Sequence, residues 1–316
     1  MANGGTESEL KIAVVGAGNV GAAAAAVMAS RDLGRIWLYD VAEDLAEGKA
    51  MDINHASPFF HHDARVTGTG SPEDLTGADV IVITAGAPRR AGMTRADLLG
   101  QNAAVCDAVD AEILSGCPGA KVLIVTNPVD ALTTYLNDRR PEMTVFGLGC
   151  TLDTARFRFL LAEAAGASVD AVNALVIGAH NDHMIPLIDR ATIGGLPARE
   201  LLSGAQIAHV VEETRRAGHR IVSKLKDRGS FYAAAHCVAA IVASLAANRG
   251  HVFPVSAPAE GAYGHDGVAL ALPCRIGAAG PGDVLPLDLT PNESAALALC
   301  AADVRQTLRE VEHLCG

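Results

Sequence analysis

The sequence predicts an α/β fold: a doubly wound parallel sheet followed by a second, mixed α+β unit. Three observations lead there. Through the first half, short β-branched runs alternate with helix-compatible stretches, the pattern of a parallel sheet covered on both faces. A glycine-rich turn, Gly16-Ala17-Gly18-Asn19-Val20-Gly21, follows the first run and opens an alanine-rich helix. After Gly149 the texture changes to longer helical segments and scattered short apolar runs, which places a boundary between units 1–149 and 150–316.

The strand-like runs are 11–15, 35–40, 80–84, 122–126 and 145–147. The run of alanines at 22–26 belongs to the helix after the glycine turn, since alanine is the best helix former. Beyond the boundary we expect a helix from Leu152, a strand at 173–177 and hairpin-like apolar runs across 267–276. The apolar stretch 231–247 contains His236, Cys237 and Ser244, which marks it as a core helix rather than a membrane span. Thr290 as N-cap, Pro291 at the first helical position and Glu293 at the third open a final helix. Its Leu297, Val304, Leu308 and Val311 share one face, so it should dock on the body of the protein.

The formal net charge is -11 and no Lys/Arg run occurs, which excludes the clustered positive surface that a nucleic-acid partner requires. An anionic substrate would need locally placed arginines. The first ten residues are polar and acidic, without the basic and apolar regions of a secretory signal, so a cytoplasmic protein with no membrane partner is expected. Seven cysteines, at 106, 117, 150, 237, 274, 300 and 315, form no C-x-x-C pair and suit reduced core-filling thiols. His55, His61, His62 and Asp63 lack a ligand spacing, and no metal is expected.

The glycine turn has a mechanical meaning. Gly16 makes the tight turn, Gly18 lets the backbone approach a pyrophosphate, and Gly21 lets helix pack on strand, leaving the helix N-terminus, with Asn19 and Val20, to face the anion. Asp40 stands 19 residues after Gly21, at the end of the second strand. A carboxylate there accepts hydrogen bonds from ribose hydroxyls and repels a 2′-phosphate, so NAD is favoured over NADP.

From about residue 11 to the C-terminus the chain resembles the lactate/malate dehydrogenase family. Five ordered motifs carry the resemblance: GAGNVG, TAGAPRRAGMTRADL at 84–98, TNPVD at 126–130, LDTARFR at 152–158 and GAHNDHMIPL at 178–187, with VALALPCRIG at 268–277 beyond them. The resemblance implies a Rossmann NAD-binding domain over 1–149, a catalytic domain over 150–316, and hydride transfer between NAD and a 2-hydroxy acid. It implies that His180 is the acid/base, because the alkoxide left by hydride transfer must be protonated by a group titrating near working pH. Asp153 would hold the imidazole, Arg156 would clamp the substrate's 1-carboxylate, and Arg95 would polarise the reacting carbonyl as its loop closes. Asn127 would bond both the substrate oxygen and the cofactor region, with Asn102 a further cofactor contact. A homodimer or homotetramer is implied as well.

The substrate expectation rests on Arg89, six residues before Arg95, at the loop position that faces the substituent on the substrate's C3. Family members acting on malate resemble this sequence there, whereas lactate enzymes usually carry an uncharged side chain. Malate and oxaloacetate are therefore the expected pair, and the substrate a small dicarboxylate. Arg90 is read as a solvated loop charge, an exchange of roles between the two arginines being the alternative. Other readings are a 2-oxo acid with a C3 phosphonate or sulfonate, a pyruvate/lactate pair, and a silent NAD-binding protein. Two departures from the family pattern bear on this: Asn181 where a glycine is usual, and Phe231 where small residues are common and the pocket would be narrowed.

Overall fold

The structure, a computed structural model, describes residues 9–86, 95–226 and 229–315. The first half alternates strands β1 (Lys11–Val15), β2 (Arg35–Tyr39), β3 (Val66–Thr69), β4 (Val80–Ile83), β5 (Lys121–Ile124) and β6 (Thr144–Gly147) with helices α1 (Asn19–Ser30), α2 (Glu43–His55), α3 (Arg95–Glu112) and α4 (Val129–Arg139). The six strands are parallel in the order β3-β2-β1-β4-β5-β6. The order reverses between β1 and β4, and ligands of such sheets bind in the crevice at that switch.

Burial explains the layers. On β1, Ile12 and Val14 enter one apolar core with Ala24, Ala25 and Met28 of α1. Its Ala13 and Val15 enter another, with Leu99 and Ala103 of α3 and Leu132 of α4. Alternate residues thus bury on opposite faces, and both faces are covered by helices.

The second half begins with α5 (Thr151–Ala165), the short strands β7 (Val172–Asn173), β8 (Val176–Ile177), β9 (Ile185–Pro186), β10 (Thr192–Ile193) and β11 (Leu196–Pro197), and the one-turn α6 (Ala198–Leu201). It continues with α7 (Gly204–Leu225), α8 (Tyr232–Ala246), β12 (His251–Pro258), β13 (Ala269–Gly277), β14 (Gly280–Val284) and α9 (Pro291–Cys315). Strands β12, β13 and β14 extend the main sheet antiparallel beyond β6, making nine strands among the described residues. The sheet therefore runs across position 149.

Several expectations need adjustment. The strand expected at 173–177 is two pieces in different sheets, β7 pairing with β10 and β8 with β9. The apolar run at 267–276 is one strand, β13, and the tight turn lies after it, before β14. β3, with the sequence VTGT, carries too little apolar signal to be read locally; it forms because β2 offers it a parallel edge. The docked final helix is observed: Thr290 N–H donates to Glu293 Oε2 at 2.8 Å, Glu293 N–H donates to Thr290 Oγ1 at 3.2 Å, and Leu297, Val304, Leu308 and Val311 are buried. The core helix α8 is observed too, and no helix among the described residues is long and apolar enough to cross a membrane.

Candidate active site

At the switch point the chain leaves β1 into the glycine turn. Gly16 has φ +103°, and a Cβ there would lie 2.6 Å from Ala85 N. A Cβ on Gly21 would fall 1.9 Å from Gly16 O, so helix and turn pack backbone to backbone. A Cβ on Gly18 would meet nothing within 4 Å, so the space beside it is open to a ligand. Gly18 and Asn19 are exposed, and the first turn of α1 holds no acidic residue to neutralise its positive end. A cavity of about 620 Å³ runs from here along Asp40, Val41, Thr84, Gly86 and Gln101, with apolar walls from Val105 and Ile113. Size, an uncompensated helix N-terminus and apolar walls fit a dinucleotide such as NAD.

Asp40 is held more firmly than the sequence suggested. Its Oδ2 accepts the Ala17 N–H at 2.7 Å and its Oδ1 accepts the Ala42 N–H at 3.0 Å. Each carboxylate oxygen keeps a further lone pair for a ribose hydroxyl. Lys49 of α2, which sequence reasoning did not single out, donates from Nζ to Ala17 O at 2.6 Å and braces the turn from outside.

The second cavity, about 530 Å³, is lined by Asn127, Arg156, His180, Asn181, Arg215, His219 and Ser230, among others. Asn127 follows β5 and is joined to the nucleotide side by Asn102 of α3, whose Nδ2 donates to Asn127 O at 2.7 Å. Gly86 completes the junction, since a Cβ on it would lie 3.1 Å from Asn102 Oδ1. Asn102 thus bridges Gly86 on the wall of the first cavity to Asn127 on the wall of the second, at the C-terminal end of the parallel sheet.

Asp153 sits in the first turn of α5 and is wholly buried. Its Oδ2 is 2.5 Å from His180 Nδ1, and its Oδ1 accepts from Arg156 Nη1 at 2.9 Å. The i,i+3 spacing on α5 puts Asp153 and Arg156 on one side, as the sequence implied. With Nδ1 held by the carboxylate, His180 Nε2 is the nitrogen left for chemistry, and 20% of the side-chain surface is exposed. Arg156 Nε is buried without a partner. An orphaned guanidinium donor beside an imidazole is suited to a carboxylate. Helix α7 faces that guanidinium at Gly218, where a Cβ would be in ordinary contact at 3.7 Å from Arg156 Nη1.

The main chain of His180 is fixed by a residue that sequence reasoning passed over: its N–H donates to Asp130 Oδ2 of α4 at 2.7 Å. Asp130 stands in the TNPVD motif but 50 residues away, so only the folded chain joins the two. Burial pushes its carboxyl above the usual range, against the His180 amide, which favours the ionised form. Burial alone would lower the His180 pKa, but the charge and hydrogen bond of Asp153, helped by the charge of Asp130, raise it above its ordinary value, with Arg156 opposing. For Asp153, burial would raise the carboxyl, yet His180 and Arg156 together hold it below the usual carboxylate range. The cluster is a stable carboxylate facing an imidazole that is readily protonated.

Arg89 and Arg90 lie outside the described residues, and of Arg95 only the backbone, at the start of α3, is described. Phe231 is not among the residues lining the cavity: it precedes α8, and its ring lies tilted against Tyr232 with centroids 4.1 Å apart. Gly229 and Ser230 form that wall instead. Among the described residues no cluster of His, Cys, Asp and Glu could hold a metal ion.

Two family models cover the chain: "lactate/malate dehydrogenase, NAD binding domain" over residues 10–147, and "lactate/malate dehydrogenase, alpha/beta C-terminal domain" over 150–315. The malate dehydrogenase of Desulforudis audaxviator is 37% identical over 304 residues, covering 96% of this chain and 98% of that one. Among solved structures, Cryptosporidium parvum malate dehydrogenase superposes with a TM-score of 0.92 at 32% identity, covering 96% of this chain and 99% of the other. The lactate dehydrogenase of the same organism, complexed with lactic acid and β-nicotinamide adenine dinucleotide, gives 0.91 at 32% identity, covering 96% and 98%.

Proposed function

Given that the chain belongs to the lactate/malate dehydrogenase family, we propose that it interconverts malate and oxaloacetate with NAD, using His180 as proton donor and acceptor. The carrying observation is the His180–Asp153–Arg156 cluster, opening on a cavity whose Asn127 is bonded through Asn102 to the nucleotide side. Overall shape does not choose the substrate, because malate and lactate enzymes superpose equally well. The malate assignment is supported by the full-length relative and by Arg89.

When bound, the nicotinamide cofactor supplies or accepts the hydride at C2. Arg156 holds the 1-carboxylate, its unpartnered Nε and remaining Nη being free to donate. Asn127 orients the C2 oxygen, and His180 Nε2 delivers a proton to it as the carbonyl becomes a hydroxyl. In the reverse direction neutral His180 takes that proton, and Asp153 stabilises the imidazolium that results. Arg95 completes the polarisation of the carbonyl, and Arg89 pairs with the carboxylate on C3. If pyruvate bound instead, Arg89 would lack a partner in a water-poor site, a cost of roughly 3–5 kcal/mol. At about 1.4 kcal/mol per decade this favours oxaloacetate by 10² or more.

In this reading Gly16, Gly18, Asn19, Val20, Gly21, Asp40, Asn102 and Asn127 serve the cofactor, 1–149 forms the nucleotide domain and 150–316 the substrate domain. A cytoplasmic homodimer or homotetramer is part of it, and light scattering measures that assembly. The test is kcat/KM for oxaloacetate, pyruvate and phosphonopyruvate on the parent and on Arg89→Gln. Oxaloacetate should lead on the parent, and the variant should shift toward pyruvate. A parent that prefers pyruvate overturns the malate assignment, and a variant with unaltered ranking removes Arg89 from recognition.

A further inference from the structure

Position 181, where the family resemblance calls for glycine, carries a side chain engaged at both ends. Asn181 Oδ1 accepts the His183 N–H at 2.8 Å, closing a turn over 181–183. Its Nδ2 donates to Asp303 Oδ2 at 2.8 Å. Asp303 belongs to the C-terminal helix α9, 122 residues further on. One helical turn earlier on α9, Cys300 Sγ donates to His183 O at 3.3 Å. The backbone closes the same turn, with Asn181 N–H on Ala179 O at 2.8 Å and Met184 N–H on Asn181 O at 3.1 Å. Helix α9 therefore grips the turn that carries His180 at two points.

We propose that Asn181, anchored by Asp303, is a positioning residue for His180 and not a substrate ligand. The claim rests on the reading of His180 as acid/base. Asp153 holds the ring at Nδ1 and Asp130 holds the main-chain N–H, so both constraints lie at or before the imidazole. What they leave free is the backbone that follows, and glycine there would leave it freest. The Asn181 side chain removes that freedom by tying residue 181 to residue 183 and to α9. Proton transfer at Nε2 depends on placement within a fraction of an ångström, so the tie acts on turnover rather than on binding. With its oxygen on the His183 N–H and one amide hydrogen on Asp303, the amide is oriented by the turn and by α9, although it lines the cavity and keeps one donor and one lone pair.

Steady-state reduction of oxaloacetate by NADH, measured on the holoenzyme, tests the tie in Asn181→Gly, Asp303→Ala, the double variant and Asp303→Asn, with His180→Asn in the same series. Asn181→Gly and Asp303→Ala should each lower kcat about tenfold, with KM for oxaloacetate and NADH within about twofold of the parent. Because Asn181→Gly already removes the bond to Asp303 along with the bond to the His183 N–H, the double variant should be no worse than Asn181→Gly alone. Asp303→Asn keeps an acceptor oxygen and should recover most of the turnover lost in Asp303→Ala. Asn181→Gly leaves α9 untouched and so separates loss of the tie from damage to the helix. Parent-like kcat in either single variant, or losses that multiply in the double, overturns the proposal. A loss carried by the oxaloacetate KM in Asn181→Gly but absent from Asp303→Ala also overturns it and makes Asn181 a substrate ligand. A fully active His180→Asn brings down the acid/base reading itself, whereas an inactive His180→Asn beside a fully active Asn181→Gly removes only the positioning role.

Discussion

Replacing Asp153 by asparagine keeps the shape of the buried side chain and removes its charge. Asp153 is 0% exposed and holds two cations, His180 Nδ1 at 2.5 Å and Arg156 Nη1 at 2.9 Å. Removing one partner from a buried charged set costs roughly 3–5 kcal/mol, because the remaining charge loses its compensation. In the proposed mechanism the group needing compensation during reduction is the imidazolium of His180, so its pKa falls in the variant and less of the enzyme carries the proton to be delivered. In the oxidation direction the imidazolium forms during the reaction and the same energy is added to the barrier. Asp153→Asn should therefore lower kcat/KM about 10²- to 10⁴-fold in both directions. The pH profile gives the independent sign: under the proposed acid/base role, reduction needs protonated His180 and declines as pH rises through its raised pKa, so in the variant this decline should move to lower pH. Stopped-flow NADH absorbance at a series of pH values measures both quantities. A variant within threefold of the parent, or a decline that stays in place, would refute the assignment of Asp153 as the group that charges His180.

Three further outcomes follow from the same geometry. Gly21→Ala places a Cβ 1.9 Å from Gly16 O and 2.6 Å from Thr84 Oγ1, so the melting temperature and NADH affinity should both fall; parent-like values in a thermal-shift titration would mean that helix and turn are not in contact. Asp40→Asn should narrow the preference for NADH over NADPH by about tenfold in kcat/KM if, as proposed, the Asp40 charge repels a 2′-phosphate; an unchanged ratio would assign selectivity elsewhere. The His180–Asp153 pair should also mark the stability profile. The folded pKa of His180 is raised, so its contribution is complete below about pH 6.5 and is lost as pH rises through the folded value. That of Asp153 is lowered, so its contribution is present above about pH 4 and is lost as pH falls through the folded value. The melting-temperature gap between parent and Asp153→Asn should be widest between those limits and narrow toward alkaline pH, and a constant gap contradicts the pairing.

The features legible in the sequence are those whose geometry is local. Gly16, Gly18 and Gly21 announce a turn between strand and helix because the constraint is felt within six residues, and the folded turn has that tightness. Asp153 and Arg156 could be placed together because one helical turn separates them. The final helix could be started at Thr290 because its cap is made within three residues. His180 could be named only through resemblance, since nothing in a lone histidine after a strand-like run says which carboxylate it will meet.

Other features arise only when distant segments pack. Asp130 reaches the His180 amide across 50 residues, and Lys49 reaches the glycine turn across 32. β3 gains its partner from β2, and Phe231 turns onto Tyr232 instead of into the cavity it was expected to narrow. The sequence by itself determined the nucleotide turn and the alternating layers, because propensity, periodicity and spacing act over a few residues. The tertiary structure decided which carboxylates face His180, which way its pKa moves and what holds its turn. Burial and charge pairing depend on neighbours that the chain brings together only by folding.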